Sequence, residues 1–361
     1  MGISETNGAV PCQLHKLKNH PKVVYKILVA RGGIEPGPRM PYPVRMLTWK
    51  QIVKKLFLAL VFAFSHSFAQ PTAQSIELAK TIPIADVHMH VHNTSYSPSP
   101  SDFKYQMEKN NVQWAGGVGD YQTYLANALG NRYISAIGQD EFMNTRSESA
   151  LVDPEHFKSM FAQAEEMFKA GTLKGFGEIH SDNHRSGSPD ISRQIRVRTP
   201  AIEKMYEISN KYGAYVQVHA EYDTQFVEDL YYMSKTYPRT LTVLAHCLPR
   251  SNPKVIDQFF TDLPNVVCEI SGKNGPVHAG PFESGRMFSK DGVKPAWLDV
   301  IKKHPDRVML GSDPCCGLET RYSEMIDDIR TMFLPYFEPE VVEKISYRNA
   351  VRLFKLDGPK Q

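Results

Sequence analysis

The sequence lacks the cysteine patterns that would identify a small metal-binding or redox domain. Its 361 residues include five cysteines, none paired as Cys-x-x-Cys: Cys12, Cys247, Cys268, Cys315 and Cys316. A zinc ribbon and a thioredoxin-like motif are therefore excluded. A disulfide between the adjacent Cys315 and Cys316 would be strained, so we expect mostly buried thiols.

The sequence also lacks a basic surface outside its first segment. Residues 1–69 carry ten Lys+Arg and two Asp+Glu, whereas the rest of the chain carries 32 and 37. The formal net charge of +3 therefore hides a net charge of −5 after residue 69. We expect no nucleic-acid partner. The composition, 42% hydrophobic and 22% charged, suits an ordinary globular protein. We expect a small-molecule substrate as the partner and leave a homo-oligomer open.

A long membrane-spanning run is missing as well. Residues 56–64 are apolar but too few to cross a bilayer comfortably. They follow a lysine-rich stretch and precede a small-x-small pattern that ends at Ala69. This predicts a signal peptide at residues 46–69 and a periplasmic or secreted protein without a stable membrane anchor. Residues 1–45 are then a disordered leader or an over-long gene start. A retained N-terminal anchor is the alternative.

What is present from residue 70 to residue 361 is an alternation of short apolar strands and amphipathic helices. Helical spacing in residues 154–170, with Asp153 as the N-cap, is typical of the helices. Such crossovers predict a parallel sheet, and this length fits a single domain with the α/β fold of a (β/α)8 TIM barrel. A doubly wound open sheet is the alternative. The eight predicted strands are residues 82–88, 112–116, 133–137, 173–179, 214–219, 241–246, 266–270 and 308–313.

Residues that bind metals recur at the carboxyl ends of these strands. The first strand ends in His88 and His90, which point the same way on an extended backbone and can reach one ion. A barrel brings the ends of all its strands to one face. Burying so many polar groups without a metal or water would be costly, which indicates a metal site. The full set is His88, His90, Glu178, His219, His246 and Asp313.

Together these motifs resemble the amidohydrolase superfamily of metal-dependent TIM-barrel hydrolases. The resemblance covers about residues 82–354, and the stretch around Asn349 is similar to the last helix of the amidohydrolase-related branch. The motifs that carry the resemblance are Asp-Val-His88-Met-His90, Val-His219, Ala-His246-Cys and Gly-Ser-Asp313-Pro.

The resemblance implies one or two divalent ions, most simply zinc, with Mn, Fe or Co as alternatives. His88, His90 and Asp313 would hold the first ion, and His219 and His246 would hold or face the second. Glu178 resembles the strand-four glutamate of TatD-type members and would bridge the two ions. A carbamylated Lys174, deeper on the same strand, is the alternative bridge. If Glu178 only hydrogen-bonds to a ligand, the site holds one ion and His246 contacts substrate or water.

The resemblance also implies a reaction. The protein would be an exported metal-dependent hydrolase that uses a metal-activated hydroxide to cleave an amide, ester, lactone or phosphoester bond. Asp313 would accept the proton of the nucleophile and pass it to the leaving group, with His246 as the second catalytic residue. The alternatives are a metal-dependent non-oxidative decarboxylase of an aromatic acid and a non-catalytic binding protein on the same fold.

Substrate-binding side chains are expected on the loops at the same face. Arg193 and Arg196 follow the fourth strand and could clamp a carboxylate or a phosphate. Lys273 follows the seventh strand and could contact an anionic group. His180 and His278 are predicted on the same rim.

Overall fold

The computed structural model describes residues 70–91, 100–186, 190–273, 286–315 and 317–359. They belong to one compact unit of the chain, His66–Gln361. The leader, the signal peptide and His278 lie outside the described ranges, so what the sequence indicates for them stays a prediction. Within those ranges, no helix is both long enough and apolar enough to cross a membrane.

Parallel strands form the centre of the fold. The strands are β1 (Ile84–Val91), β2 (Val112–Gly119), β3 (Tyr133–Ile134), β4 (Ala136–Gly138), β5 (Gly175–His180), β6 (Tyr215–His219), β7 (Leu241–Leu244), β8 (Val266–Glu269), β9 (Phe288–Ser289), β10 (Gly292–Val293) and β11 (Val308–Met309). Main-chain hydrogen bonds join β1, β2 and β3 in one parallel sheet. A second parallel sheet has the order β11-β8-β7-β6-β5-β4, while β9 and β10 form a separate antiparallel pair.

Two connections close these sheets into a barrel. β3 continues into β4 after the single residue Ser135. On the other side, the N–H of Val87 in β1 donates to the carbonyl of Leu310, directly after β11, at 3.0 Å. Asp86 and Leu310 form a parallel bridge at the same place. With β3 and β4 counted as one strand, the predicted (β/α)8 barrel is confirmed, and the open sheet is excluded.

Helices pack around the barrel, and several begin at a proline. Proline suits the first helical turn because its fixed φ is already helical and its missing N–H would have had no partner there. It begins Pro200–Tyr212, Pro253–Asp262 and Pro295–Lys303. Asp223 caps Thr224–Thr236 by accepting the N–H of Phe226 at 2.8 Å. The other α-helices are Ala73–Thr81, Pro100–Lys109, Thr123–Leu129, Gln139–Asn144, Glu148–Val152, Lys158–Lys169, Tyr322–Asp328, Pro339–Glu343 and Asn349–Leu353, with π-helical turns at Ile329–Phe333 and Lys344–Arg348.

Two local predictions are wrong. The helix predicted for residues 154–170 begins at Lys158, and Asp153 does not cap it. Its Oδ1 accepts the N–H of Glu155 at 3.0 Å in a preceding turn. Turns and caps use the same side-chain acceptor, so the residue type does not separate them. The third strand is broken at Ser135, whose hydroxyl donates to the carbonyl of Thr172 at 2.6 Å.

Apolar side chains fill the barrel near the amino ends of its strands. On β5, Gly175 leaves room for a ring, since a Cβ there would lie 2.5 Å from Tyr215. Phe354 and Leu356 belong to the same buried cluster. They close this end of the barrel, which we call the floor. The predicted metal ligands lie at the opposite end of the barrel. The strand residues of the cluster are Ala85, Val87, Trp114, Ile134, Tyr215, Val243, Val267 and Met309.

Cys247 and Cys268 form a disulfide bond, so the prediction of mostly buried thiols is wrong for this pair. Their Cα atoms lie 4.9 Å apart, because β7 and β8 are paired neighbours. The two cysteines are 21 residues apart in the sequence and become neighbours in space only when β7 and β8 pair. The sequence alone therefore does not reveal the bond. Cys315 is partly exposed and lies outside this disulfide.

Replacing both Cys247 and Cys268 by alanine should lower the free energy of unfolding by about 3 kcal/mol, because the cross-link restricts the unfolded chain. Urea unfolding of the oxidised protein and the variant measures the difference. Cys315→Ala is the control and should unfold at nearly the same urea concentration as the parent. Equal midpoints for the parent and the double variant would contradict the expectation.

Candidate metal centre

Three predicted ligands meet at the carboxyl ends of β1 and β11. The Nε2 atoms of His88 and His90 lie 3.2 Å apart, and Nε2 of His90 lies 3.0 Å from Oδ1 of Asp313. Nε2 of His88 is 3.6 Å from the same oxygen. A register shift in β1 between Asp86 and Met89 accompanies the change from apolar interior side chains to histidines. We call His88, His90 and Asp313 the first half-site.

Three more histidines meet at the ends of β5, β6 and β7. Nδ1 of His219 and Nε2 of His246 are 3.2 Å apart. His246 lies in a 3-10 turn after β7 and has a left-handed backbone, with φ 57°, which is uncommon for a residue with a side chain. Nε2 of His180 lies 3.3 Å from Glu178, so His180 lies in this group and not on the predicted rim. We call His180, His219 and His246 the second half-site.

Glu178 lies between the two half-sites. Its Oε1 is 2.7 Å from Nδ1 of His219 and 3.2 Å from Nε2 of His246. Its Oε2 is 3.3 Å from Nε2 of His180 and 3.7 Å from Nε2 of His88. One buried carboxylate therefore faces both groups, which is the position that a bridging ligand requires.

The spacing of these atoms fits metal coordination. Two ligand atoms that each lie ~2.1 Å from one ion are about 3.0–3.4 Å apart. The separations are 3.2 Å for His88 and His90, and 3.2 Å for His219 and His246. Two unprotonated imidazole nitrogens cannot hydrogen-bond to each other, whereas a cation between them satisfies both lone pairs. The donor set therefore fits one or two divalent ions.

The charges of the centre favour a cation. Burial would raise the pKa of Glu178, but His219 and His88 hold it well below its usual value. At Asp313, burial is again outweighed by the histidines together, chiefly His88 and His90, and the pKa lies well below its usual value. Burial lowers the pKa of His219 to about 3, which leaves that ring neutral. At His88, burial is outweighed by three carboxylates, and the pKa rises to about 10. A positive charge, from a proton or a metal ion, is therefore favoured beside His88.

Residues 86–356 match the family model described as Amidohydrolase. The match spans about three quarters of the chain and contains every residue of both half-sites. The chain belongs to the amidohydrolase family. It is therefore an enzyme of a family that uses divalent metals. No curated protein matches the sequence.

Three solved structures resemble this amidohydrolase at a distance. A probable 2-pyrone-4,6-dicarboxylic acid hydrolase from Acinetobacter baumannii is 16% identical with a TM-score of 0.44, covering 76% of this chain and 99% of its own. An amidohydrolase from Burkholderia multivorans is 13% identical with a TM-score of 0.46, covering 76% and 100%. A 2,6-dihydroxybenzoate decarboxylase from Rhizobium is 13% identical with a TM-score of 0.44, covering 77% and 100%. Such similarity is too low to transfer a substrate or a reaction.

In this amidohydrolase, the side chain of Asn183 hydrogen-bonds to Nε2 of His219, the ring nitrogen that does not contact Glu178. With its amide oxygen turned towards them, Asn183 accepts from Nε2 of His219 at 3.0 Å and from Nη1 of Arg193 at 2.7 Å. Its amide nitrogen donates to Oε1 of Glu221 at 3.2 Å. The proton of His219 is thereby placed on Nε2, which leaves the lone pair of Nδ1 to bind an ion that Glu178 would share. Arg193, predicted to bind substrate, contacts the residue that orients a candidate ligand.

Arg196 forms an ion pair with an acid of the protein itself. Its Nε and Nη2 donate to the two carboxylate oxygens of Asp229, at 2.8 and 2.6 Å. Asp229 is buried in the helix Thr224–Thr236, and a bidentate pair of this kind neutralises the guanidinium charge. The structure therefore gives no support to substrate binding by Arg196.

The two lysines of interest also contact the protein itself. The amine of Lys273 is buried, 3.5 Å from the carbonyl of Pro249 and 4.8 Å from the centre of the Trp297 ring. The amine of Lys174 lies 3.4 Å from the carbonyl of Lys355, beside the floor of the barrel. This position excludes Lys174 as a carbamylated bridge.

One buried carboxylate of the centre was not among the predicted residues. Glu269 ends β8, is fully buried, and has its Oε1 3.0 Å from Nδ1 of His88. Glu269 ends the apolar run Val266-Val267-Cys268, and Glu178 was predicted from a similar position in its own strand. The same pattern in the sequence could therefore have identified Glu269.

Glu178→Gln should weaken the binding of both ions at least tenfold, because the change removes a negative charge that faces both half-sites. Titration with Zn²⁺ against a chromophoric chelator measures the affinity, and elemental analysis measures the content. Asp229→Asn removes a buried carboxylate elsewhere and is the matched control. A variant that holds zinc as tightly as the parent would rule out a bridging role.

Lys273→Met should raise the melting temperature below pH 7 and flatten its rise at higher pH. Burial lowers the pKa of Lys273 to about 7 from the ordinary 10.5. The unfolded chain therefore binds this proton more tightly, and stability rises with pH between these two values. Thermal unfolding of both proteins from pH 6 to pH 9 gives the difference. The same pH dependence in both would show that the buried amine costs nothing.

Proposed function

We propose that the protein is a metal-dependent hydrolase with two divalent ions held side by side. The position of Glu178 carries this proposal, since both of its oxygens lie beside histidines of the second half-site and its Oε2 also lies 3.7 Å from Nε2 of His88 in the first half-site. Paired ions can act on the attacking and the leaving group of one hydrolysis. A single-ion site would leave one of these clusters of imidazole nitrogens without a partner for its lone pairs.

The first half-site would hold one ion and the second half-site the other, with Glu178 shared. Bound divalent ions of this kind lower the pKa of water from ~16 towards ~7 and polarise a carbonyl or phosphoryl group. We propose zinc, because imidazole and carboxylate are its usual ligands. Mn, Fe and Co suit the same donors and are outcomes of metal analysis.

Asp313 would transfer the proton, and His246 would act beside it with its Nε2 oriented towards the centre. The side chain of Asp313 is 14% exposed, against 4% for Glu178, so substrate can reach it. Its low pKa keeps it ionised, and an ionised carboxylate can accept the proton of the nucleophile and pass it on. Nδ1 of His246 lies 2.8 Å from the hydroxyl of Ser271, which turns Nε2 towards the centre.

The substrate would be a small molecule with an amide, ester, lactone or phosphoester bond, and we propose that the enzyme acts after export. The disulfide between Cys247 and Cys268 supports export, because such bonds persist in oxidising compartments such as the periplasm. Export and a homo-oligomeric state are separate proposals from the reaction itself.

The deciding experiment uses purified protein loaded with Zn²⁺ and freed of excess metal. About two ions per chain and turnover of one class in a panel of amides, esters, lactones and phosphoesters would support the proposal. Release of carbon dioxide from aromatic acids, with no hydrolysis in the panel, would replace it with a decarboxylase.

Asp313→Asn should lower kcat by about 10²–10⁴-fold, because the amide cannot accept the proton. The measurement is turnover of the substrate found in the panel, with metal content and circular dichroism recorded for the same samples. Arg321→Lys, at an exposed ion pair with Glu324, is the control. A variant that turns over normally would remove Asp313 from the chemistry.

A further inference from the structure

Glu269 contacts a residue of each half-site without belonging to either. Its Oε1 lies 3.0 Å from Nδ1 of His88 in the first half-site. The same oxygen accepts the backbone N–H of His246, in the second half-site, at 2.6 Å. The side chain is fully buried, so these contacts are shielded from water and are correspondingly strong.

At His88 the contact determines which ring nitrogen carries a proton. A carboxylate can only accept a hydrogen bond, so Nδ1 must be the donor. The amide nitrogen of Gln217 also lies 3.0 Å from Nδ1, but an amide can present its oxygen to a donor, whereas a carboxylate can never donate. A neutral His88 is therefore protonated on Nδ1, and the lone pair of its Nε2 faces His90 and Asp313.

At His246 the same carboxylate acts through a serine. The hydroxyl of Ser271 donates to Oε1 of Glu269 at 3.0 Å and lies 2.8 Å from Nδ1 of His246. Since the hydroxyl proton is used on Glu269, the oxygen of Ser271 is left to accept from Nδ1. His246 is thereby protonated on Nδ1 as well, in agreement with the carbonyl of Ser271, which lies 3.1 Å from Nδ1 and can only accept. The lone pair of its Nε2 is left for an ion beside Glu178.

The surroundings hold Glu269 in this position. Its Oε2 accepts the N–H of Ser271 at 2.7 Å. Gly311 leaves space beside it, since a Cβ there would lie 2.1 Å from Oε2 and 2.8 Å from Cβ of His88. Cys268, the preceding residue, is bonded to Cys247, which follows His246. The carboxylate and the turn of His246 are thus tied together covalently and by hydrogen bonds.

We propose that Glu269 is a positioning residue that sets the protonated nitrogen of one histidine in each half-site and so prepares both ion positions together. The inference rests on the proposed metal-dependent function. It predicts a particular pattern, in which one change outside the ligand set weakens both ions, while a change at the serine weakens only the ion of the second half-site.

The experiment is a titration of metal-free protein with Co²⁺, whose visible absorption reports both affinity and ligand geometry. Glu269→Gln should lower the affinity for both Co²⁺ ions on the order of 10–100-fold and alter the spectrum. The reason is that the amide nitrogen of glutamine would face an N–H or O–H group that donates a hydrogen bond to the carboxylate in the parent. Ser271→Ala should weaken only the ion of the second half-site, and by less than Glu269→Gln does, because the carbonyl of residue 271 still accepts from Nδ1 of His246. Asp229→Asn, a buried carboxylate paired with Arg196, should change neither.

The outcomes separate the two proposals. If the parent binds two Co²⁺ ions and Glu269→Gln binds them with the same affinity and spectrum, the role of Glu269 is refuted and the hydrolase proposal stands. A parent that binds no Co²⁺ overturns both. If Glu269→Gln does not fold, as judged by circular dichroism, Ser271→Ala decides. Weakening of one ion supports the inference, and unchanged binding of both overturns it.

Discussion

The rest of the site depends on the interaction between the buried carboxylate of Glu178 and the imidazole rings around it. A buried negative charge is costly unless opposite charge or hydrogen-bond donors surround it. Here the neighbours are histidine nitrogens at 2.7 to 3.7 Å, and two further buried or nearly buried acids, Asp313 and Glu269, lie beside the same rings. Three acids among several imidazoles leave a demand for positive charge, which a divalent ion meets better than protons.

The barrel tolerates this concentration of charge because it keeps the charged groups apart from the apolar core. The floor is filled by side chains such as Trp114 and Tyr215, and the polar groups occupy the opposite end. Regular strand geometry stops where the ligands begin. Register shifts fall at the ligands of β1 and β5, and His246 and Asp313 both have left-handed backbones. Irregular backbone of this kind is common next to active sites, where it redirects side chains.

Much of this could be predicted from the sequence, for reasons that are visible in the structure. His88 and His90 follow the two-residue period of a strand, and each remaining ligand comes at or just after a strand end that the barrel gathers. The period of β5 even places His180 beside Glu178, although the loop position suggested the rim. Contacts set by loops and by strand pairing were harder. Nothing in the sequence distinguishes Arg193, next to Asn183, from Arg196, which pairs with Asp229.

The pairing between the first strand and the last has a consequence for how the chain is made. β1 meets the end of β11 at Leu310, and the floor is completed by Phe354 and Leu356. A growing chain on the ribosome therefore has neither a closed barrel nor a filled floor until residues 308–356 emerge. Until then β1 and β8 present open edges, and such edges pair readily with other chains. The unfinished polypeptide is thus exposed to aggregation until these residues have been made.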